Sequence, residues 1–439
     1  MGNVIFCPQI HQDGIDCVSG AGFVVMRHPP LLETFNLDKK PELKKEEHYA
    51  KPSGPPDEIK DLAYYGFDYR FTKPVVEEEE TKASTDKASS TTDADTSSKE
   101  FNFTTRLYHT KSNTMIAQDN VRKFRLHGKL FDDVVNCCQD IVQQELRDFY
   151  RYDVVTIPVS SQNSSVSGSD ATPPIQAYVS PDLAETLSKE ESIKEPQHAS
   201  ILQEKPILVI ICGKGKSRAG VLSAKQLVVS GVESGSAVYH ILQAEEQKMS
   251  VILLDPNAWG ESRGMEVVNH SLTYLFGSGE TSTDTRIPTA SAGLSKRPLY
   301  ILAHSAAGGY LTRYLSQGVA RETLLRQINR VVFTDSTHNL QWYKNKNNND
   351  DDDDDRERLW DYLQSSKCLY IRNNSAPRTF GTHHGKQAGE KHEGDHWWHH
   401  RFGKIPTVWA GTPEHSLMCW TARHVIWKFF TENERIEAS

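Results

Sequence analysis

Three short segments of this chain each place a chemically active side chain directly after a predicted strand. They contain Ser305, Asp335 and His415, in that order along the chain. In such a set the histidine removes the serine proton, and the carboxylate orients the imidazole and stabilises its charged form. The order serine, aspartate, histidine is that of α/β-hydrolase folds. The sequence therefore predicts a serine-hydrolase-like site made of Ser305, Asp335 and His415.

Ser305 has the local context that a nucleophile elbow requires. It lies between an apolar strand, Leu299–Ala303, and a helical pattern, Tyr310–Gln317. The sharp turn of an elbow needs very small residues two positions before and two positions after the serine, and these are Ala303 and Ala307. The alternative is an inert serine in a tight strand-to-helix turn.

The other two residues also have alternative interpretations. Asp335 follows the strand Val331–Thr334, where it would either hold a histidine or cap the next helix. His415 lies in a loop containing Gly and Pro after the last strand, where it can bend back towards the serine. His338 is a rival base, more typical of a local loop contact, and His424 belongs to an amphipathic segment and is predicted to be structural.

Acyl transfer also needs donors for the developing oxyanion. The backbone N–H of Ala306 is one candidate. The second is expected from the glycine-rich turn after the strand Ile207–Cys212, at Gly213 and Lys214. No metal or cofactor is predicted at this site.

The same glycine-rich turn permits two other interpretations. Cys212 and Arg218 fit the phosphate loop of cysteine-dependent phosphatases, in which a thiolate attacks phosphorus and an arginine grips two oxygens. Ile211, however, stands where that family has histidine. A nucleotide-binding P-loop fails because Ile210 occupies the position of its first glycine.

Composition limits the class of protein. The chain has 439 residues, 25% of them charged, with a net charge of −8 and seven cysteines. The negative balance argues against binding of a nucleic-acid backbone, and no apolar run is long enough to span a bilayer. An odd number of irregularly spaced cysteines is typical of reduced thiols. We therefore expect a protein of the nucleus or cytoplasm, without membrane insertion or direct nucleic-acid binding.

The pattern of apolar runs predicts an α/β fold. Strand-length runs alternate with helical patterns, which indicates a mainly parallel sheet covered by helices on both faces. The predicted helices include Leu130–Phe149, Ala219–Val229 and Ala237–Gln247. The remaining predicted strands are Asp153–Val159, Val251–Leu254, Leu369–Ile371 and Ile405–Ala410. Functional side chains are then expected at the carboxyl ends of the strands.

Polar, low-complexity stretches divide the chain. We expect an irregular N-terminal extension over 1–61, one domain over 62–432 and a tail over 433–439. Disordered inserts are predicted near 77–99, 160–174, 344–358 and 380–400, because these stretches are too polar to bury a core. The last of them is rich in histidine and includes metal-compatible spacings, but an unstructured insert is the preferred interpretation.

The segments taken together resemble the argonaute-binding-protein-two domain family. The resemblance rests on five stretches in a fixed order over about 62–432: Gly215 with Arg218-Ala219-Gly220; Leu254-Asp255-Pro256-Asn257; Ala303-His304-Ser305; Thr334-Asp335-Ser336-Thr337-His338-Asn339; and Ala410-Gly411-Thr412 with His415 and Trp420. Trp427-Lys428-Phe429-Phe430 closes the series. The chain departs from the family at Cys212, where members have histidine, and at Ala307, where glycine is expected.

This resemblance implies an α/β-hydrolase-like fold and a regulatory role. Members act in small-RNA-linked heterochromatin silencing or cotranscriptional regulation, so Argonaute-type or chromatin-associated proteins are the expected partners. The leading hypothesis is thus a regulatory protein on a serine-hydrolase-like scaffold. The alternatives are an active hydrolase of a small ester or thioester, using Ser305, Asp335 and His415, and a phosphatase using Cys212.

Overall fold

The structure of the protein is a computed structural model. It describes residues 61–72, 104–158, 173–190, 205–277, 294, 297–316, 320–340, 359–374, 385–394 and 396–432. Two short strands, β1 (Ile10–His11) and β2 (Gly14–Ile15), are also described and pair in antiparallel fashion. The chain divides into two units, Met1–Asp61 and Leu62–Ser439.

An eight-stranded sheet forms the centre of the second unit. Its strands are β6 (Asp153–Ile157), β7 (Ile175–Val179), β8 (Ile207–Ile211), β9 (Ser250–Leu254), β10 (Leu299–His304), β11 (Ile328–Thr334), β12 (Cys368–Arg372) and β13 (Thr407–Trp409). The spatial order is β13-β12-β11-β10-β8-β9-β7-β6. All pairs from β13 to β9 are parallel, whereas β7 pairs antiparallel with both β9 and β6. The predicted mainly parallel α/β sheet is confirmed.

Helices cover both faces of this sheet. They are α1 (Gly128–Asp148), α2 (Pro181–Glu190), α3 (Ala224–Val229), α4 (Val232–Gly235), α5 (Val238–Glu246), α6 (Gly264–Phe276), α7 (Ala306–Leu315), α8 (Ala320–Gln327), α9 (His396–Phe402), α10 (Met418–Thr421) and α11 (Arg423–Thr431).

Each face has its own apolar core because side chains alternate along a strand. On β8, Leu208 and Ile210 point into one core, which includes buried residues of α1, α3, α5 and α11. The neighbouring residues Val209 and Ile211 point into the other, which includes residues of α6, α7 and α9. Burial on both faces explains why these strands are continuous apolar runs rather than alternating ones.

A second, three-stranded antiparallel sheet precedes α1. It contains β3 (Phe67–Thr72), β4 (Thr104–His109) and β5 (Thr114–Met115). The buried carboxylate of Glu233 in α4 ties it to the main body, accepting hydrogen bonds from the backbone N–H of Thr105 at 2.8 Å and from its hydroxyl at 2.9 Å.

The histidine-rich stretch differs from its prediction as a disordered insert. Residues 389–392 bond to the outer edge of β13, and the backbone N–H of Trp409 donates to the Glu390 carbonyl at 2.8 Å. The following α9 buries Trp398 and Phe402 in the core. The prediction is wrong here because two aromatic residues four positions apart give a polar, histidine-rich segment an apolar face.

The other predicted inserts lie outside the described residues: all of 77–99, residues 160–172 of the second stretch and 344–358. The described part of the chain contains no helix that combines the length and apolar character needed to cross a membrane.

Candidate functional site

Ser305 lies at the carboxyl end of β10, at the first turn into α7. Its backbone has φ 56° and ψ −123°, a region that residues with a side chain rarely adopt. Two bonds to the neighbouring strand end hold it there: the Ser305 N–H donates to the Thr334 carbonyl at 2.8 Å, and the Thr337 N–H donates to the Ser305 carbonyl at 3.2 Å. Ala303 and Ala307 are fully buried beside the turn, so methyl groups fit at both positions.

Asp335 and His415 are joined directly. Asp335 follows β11 and His415 follows β13, and the distance from His415 Nδ1 to Asp335 Oδ2 is 2.6 Å. The same carboxylate oxygen accepts a hydrogen bond from Asn373 Nδ2 at 2.7 Å. Burial on its own raises the pKa of Asp335, but the hydrogen bond and charge of His415 outweigh it and hold the pKa below its usual value. Asp335 is therefore ionised at neutral pH, as a partner for an imidazolium must be.

Helix α3 anchors the loop on both sides of His415. Lys225 Nζ forms an ion pair with Glu414 Oε1 at 2.5 Å. Gln226 Nε2 donates to Ser416 Oγ at 2.6 Å. Because both neighbours of His415 are attached to the same helix, the imidazole is presented from a fixed backbone.

His304, the residue before Ser305, packs against the ring of His415. The two ring centroids are 4.9 Å apart and the planes are inclined by 26°. His304 Nδ1 lies 3.0 Å from the Thr334 hydroxyl. Burial, reinforced by the neighbouring His415, lowers the pKa of His304 to about 3, so its ring is neutral at ordinary pH. The His415 ring therefore packs against the residue that directly precedes Ser305.

Two of the three candidate residues are thus hydrogen-bonded to each other, and the third adjoins them. Among the described residues, no hydrogen bond joins Ser305 Oγ to His415. Catalytic hydrogen bonds in sites without substrate are commonly long and tighten when the reacting complex forms. The arrangement brings hydroxyl, imidazole and carboxylate to one edge of the sheet.

The glycine-rich turn after β8 lies against Ser305. A methyl group placed on Gly213 would come within 3.0 Å of Ser305 Cβ and 3.5 Å of His304 Cδ2, so the backbone approaches the serine closely. Within the described ranges, the backbone N–H groups of Gly213, Lys214 and Ala306 have no hydrogen-bond acceptor. Unpaired N–H donors thus occur next to Ser305 in its own segment, at Ala306, and in the adjoining turn, at Gly213 and Lys214.

The phosphatase interpretation of the same turn is wrong. Cys212 is buried, with Sγ 3.7 Å from the Leu254 carbonyl oxygen and 3.8 Å from that of Arg218. Burial raises the pKa of its thiol well above the ordinary value, whereas a phosphatase needs a thiolate. The Arg218 guanidinium is paired with Asp140 of α1 rather than directed over the turn.

His338 is not the base. Its ring is fully buried, with Nδ1 2.7 Å from the Ser336 hydroxyl and Nε2 3.2 Å from the Phe402 carbonyl oxygen. Burial lowers its pKa to about 4. His424, in α11, contacts the ring of Tyr239 in α5, as expected of a structural residue.

The sequence alone did not identify the supporting residues Asn373 and His304. Asn373 carried a usable signal, because it is a polar residue directly after β12, at the edge where polar side chains of parallel strands converge. His304 carried the same signal, since it directly follows the predicted strand Leu299–Ala303, but its contact with the distant His415 could not be read from the sequence.

Comparison with known proteins adds distant likenesses only. No protein-family model and no curated protein matches the chain. A puromycin-hydrolyzing peptidase of Mycobacterium tuberculosis is 12% identical with a TM-score of 0.30, and the match covers 75% of this chain but 44% of the peptidase. The chain therefore corresponds to less than half of that enzyme's length.

Two further solved structures are similar in the same limited sense. The peroxisomal alpha-beta-hydrolase Lpx1 of Saccharomyces cerevisiae is 8% identical with a TM-score of 0.30, covering 66% of this chain and 89% of the hydrolase. The fluorophosphonate-binding serine hydrolase FphF of Staphylococcus aureus is 14% identical with a TM-score of 0.23, covering 51% of this chain and 79% of that enzyme. Likenesses this weak carry no argument about activity, which must come from the site itself.

Proposed function

We propose that the chain is a serine hydrolase acting on an ester or thioester, with Ser305 as nucleophile, His415 as base and Asp335 as the carboxylate that orients His415. The observation that carries this proposal is the 2.6 Å contact between His415 Nδ1 and Asp335 Oδ2 at the edge where Ser305 forms its strained turn. A serine held in that conformation presents its hydroxyl at the carboxyl end of the sheet.

The reaction follows from these positions. His415 Nε2 accepts the proton of Ser305 Oγ as that oxygen attacks the substrate carbonyl. The N–H of Ala306, with that of Gly213 or Lys214, binds the oxyanion of the tetrahedral intermediate. The intermediate collapses when His415 returns the proton to the departing alcohol or thiol. Water, activated by the same histidine, then attacks the acyl-Ser305 ester, which releases the acid and regenerates the hydroxyl.

Labelling with a fluorophosphonate probe tests this proposal, because such probes react with a serine only when its base and oxyanion donors are in place. We expect one adduct on Ser305, absent from Ser305→Ala and His415→Ala. Ser316→Ala, which changes a serine at the other end of α7, serves as the matched control and should label like wild type. A folded wild-type protein that does not label would contradict the hydrolase proposal.

The resemblance to the argonaute-binding-protein-two family supports a second proposal, a regulatory role. In this proposal the chain acts in the nucleus or cytoplasm in small-RNA-linked heterochromatin silencing or cotranscriptional regulation, through Argonaute-type or chromatin-associated partners. What supports it is the order of five segments along the chain, which no single motif match equals in specificity.

Affinity purification of the tagged full chain tests the regulatory proposal separately. Recovery of Argonaute or chromatin proteins with both wild type and Ser305→Ala would support a partner role that is independent of catalysis. Their absence from both preparations would count against it, whatever the labelling experiment shows.

A further inference from the structure

Asn257 uses its side-chain amide to hold the glycine-rich turn that follows β8. Its Nδ2 donates to the Gly213 carbonyl at 3.0 Å and to the Ser217 carbonyl at 2.8 Å. Its Oδ1 accepts from the Gly215 N–H at 3.1 Å. Both amide N–H groups and the amide oxygen are thus engaged with the backbone of one five-residue turn.

Asn257 is itself fixed on the strand next to β8. It lies just after β9, and its backbone N–H donates to Asp255 Oδ1 at 2.8 Å. Its carbonyl accepts from the Gly260 N–H at 2.8 Å. The backbone of Asn257 is therefore held on both sides of its side chain, so the turn takes its position from β9 as well as from β8.

The order of the strands shows towards which neighbouring strand the bonded peptide groups of the turn point. Strand β8 lies between β9, which carries Asn257, and β10, which carries Ser305. In a trans peptide unit the C=O and the following N–H point in opposite directions. Because the Gly213 carbonyl is bound on the β9 side, the N–H of Lys214 in the same peptide unit is turned towards the β10 side, where Ser305 lies.

We propose that Asn257 is a positioning residue that orients the peptide unit between Gly213 and Lys214, so that the Lys214 N–H serves as an oxyanion donor. This inference rests on the proposed hydrolase function and refines it. It chooses between the two amides of the turn and assigns a role to a side chain outside the triad.

The change Asn257→Asp tests the inference with almost no change of shape. A carboxylate cannot donate, so both bonds to the carbonyls of Gly213 and Ser217 are lost and like partial charges face each other. We expect p-nitrophenyl acetate hydrolysis to lose roughly 10² to 10³ in kcat, the cost of removing one oxyanion donor, with KM little changed. The rate of fluorophosphonate labelling at Ser305 should fall in parallel.

Asn136→Asp is the matched control, since it makes the same chemical change at an exposed residue of α1. Among the described residues, the Asn136 side chain accepts a hydrogen bond from Arg218 Nη2 at 3.4 Å, and no hydrogen bond joins it to the backbone of the turn. Its kinetics and labelling should equal those of wild type. Asn257→Ser, which keeps a short donor, should recover part of the lost kcat if the Asp variant folds poorly.

The possible results distinguish the positioning role of Asn257 from the hydrolase function on which it rests. Slower turnover of folded Asn257→Asp at unchanged KM supports the positioning role. Wild-type kinetics in that variant overturn it and leave the hydrolase proposal standing. A parallel rise in KM and loss of thermal stability would indicate a merely structural role and also overturn it. If the wild-type protein neither reacts with the probe nor hydrolyses p-nitrophenyl acetate, both the hydrolase proposal and the positioning role are rejected.

Discussion

Ser305 and Asp335 both adopt positive φ angles, 56° and 46°, although neither is glycine. Such conformations cost about 1–3 kcal/mol each and persist only where surrounding bonds impose them. Here the backbone of Ser305 is bonded to Thr334 and Thr337, and the Asp335 N–H donates to the Ile371 carbonyl at 2.8 Å. At the scale of single residues, the two strand ends therefore hold each other in place.

Two replacements of Ser305 should measure the backbone strain at this position independently of the loss of the nucleophile. Ser305→Gly and Ser305→Ala both remove the nucleophile, but only glycine accepts φ 56° without a steric penalty. We expect the Gly variant to be more stable than the Ala variant by about 1 kcal/mol in urea unfolding. At Ser316, where φ is −87°, the order should reverse. Equal stabilities at Ser305 would show that its backbone is not strained.

Replacing Asp335 by Asn should test the tautomer of His415. The amide keeps the shape but can donate to Nδ1, which then holds the wrong tautomer for accepting the serine proton. Labelling of Ser305 should slow by up to about 10⁴-fold while the protein stays folded. Asp140→Asn, an exposed carboxylate paired with Arg218, is the control and should label normally. Unchanged labelling of Asp335→Asn would exclude Asp335 from the reaction.

At the scale of elements, α7 must approach β11 closely for its first turn to present Ser305. A methyl group on Gly308 would lie 1.9 Å from Ser336 Oγ and 2.9 Å from Phe333 Cδ1, whereas one on Gly309 would meet nothing nearer than Thr337 Oγ1 at 3.4 Å. There is therefore no room for a side chain at Gly308, whereas a methyl group fits at Gly309.

This difference predicts opposite effects of the same substitution. Gly308→Ala should destabilise the fold by about 1–3 kcal/mol and slow labelling, because Ser336 and the adjoining Asp335 must move. Gly309→Ala should be neutral or stabilise by up to about 1 kcal/mol, since alanine favours the helix. Thermal unfolding of both variants measures the contrast. Similar losses of stability in the two would show that α7 does not pack as described.

The elements also show what could be predicted from sequence. Strands β8 to β12 were identified within one to three residues at their ends because they are continuous apolar runs, and the site residues followed from the strand ends. Strand β7 and helix α9 were missed, since the first begins directly after the polar stretch 160–174 and the second lies in a polar stretch. Asn257 was seen only as part of a family segment, because its bonds to the turn join residues about 40 positions apart.

At the scale of the whole molecule, buried histidines link stability to pH. Burial lowers the pKa of His240 and of His304 to about 3 and that of His338 to about 4. Below about pH 6.5 the unfolded chain binds a proton at each, whereas the folded chain does not, so acidification favours unfolding. Asp255 opposes this, because burial raises its pKa to about 6 and the folded state then binds the extra proton.

The difference in bound protons predicts how steeply the free energy of unfolding falls with pH. For these four groups, three histidines less one carboxylate give about two more protons bound in the unfolded state than in the folded state. This corresponds to a loss of about 3 kcal/mol of unfolding free energy per pH unit between about pH 5.5 and 4.5. Urea unfolding across that range measures it. His240→Gln, which retains an acceptor for Trp427 Nε1 but does not titrate, should reduce the slope by about one proton. A stability that stays constant from pH 7 to 4.5 would contradict the buried, neutral histidines.

The pairing of residues 389–392 with β13 has a consequence for the molecule among its neighbours. A three-residue terminal strand with open N–H and C=O groups would be a template for a strand of another molecule. Here Gly389, Glu390 and His392 already occupy those groups on Trp409 and Thr407. Residues 389–392 therefore cover this edge of β13, so a strand of another molecule cannot pair with it there.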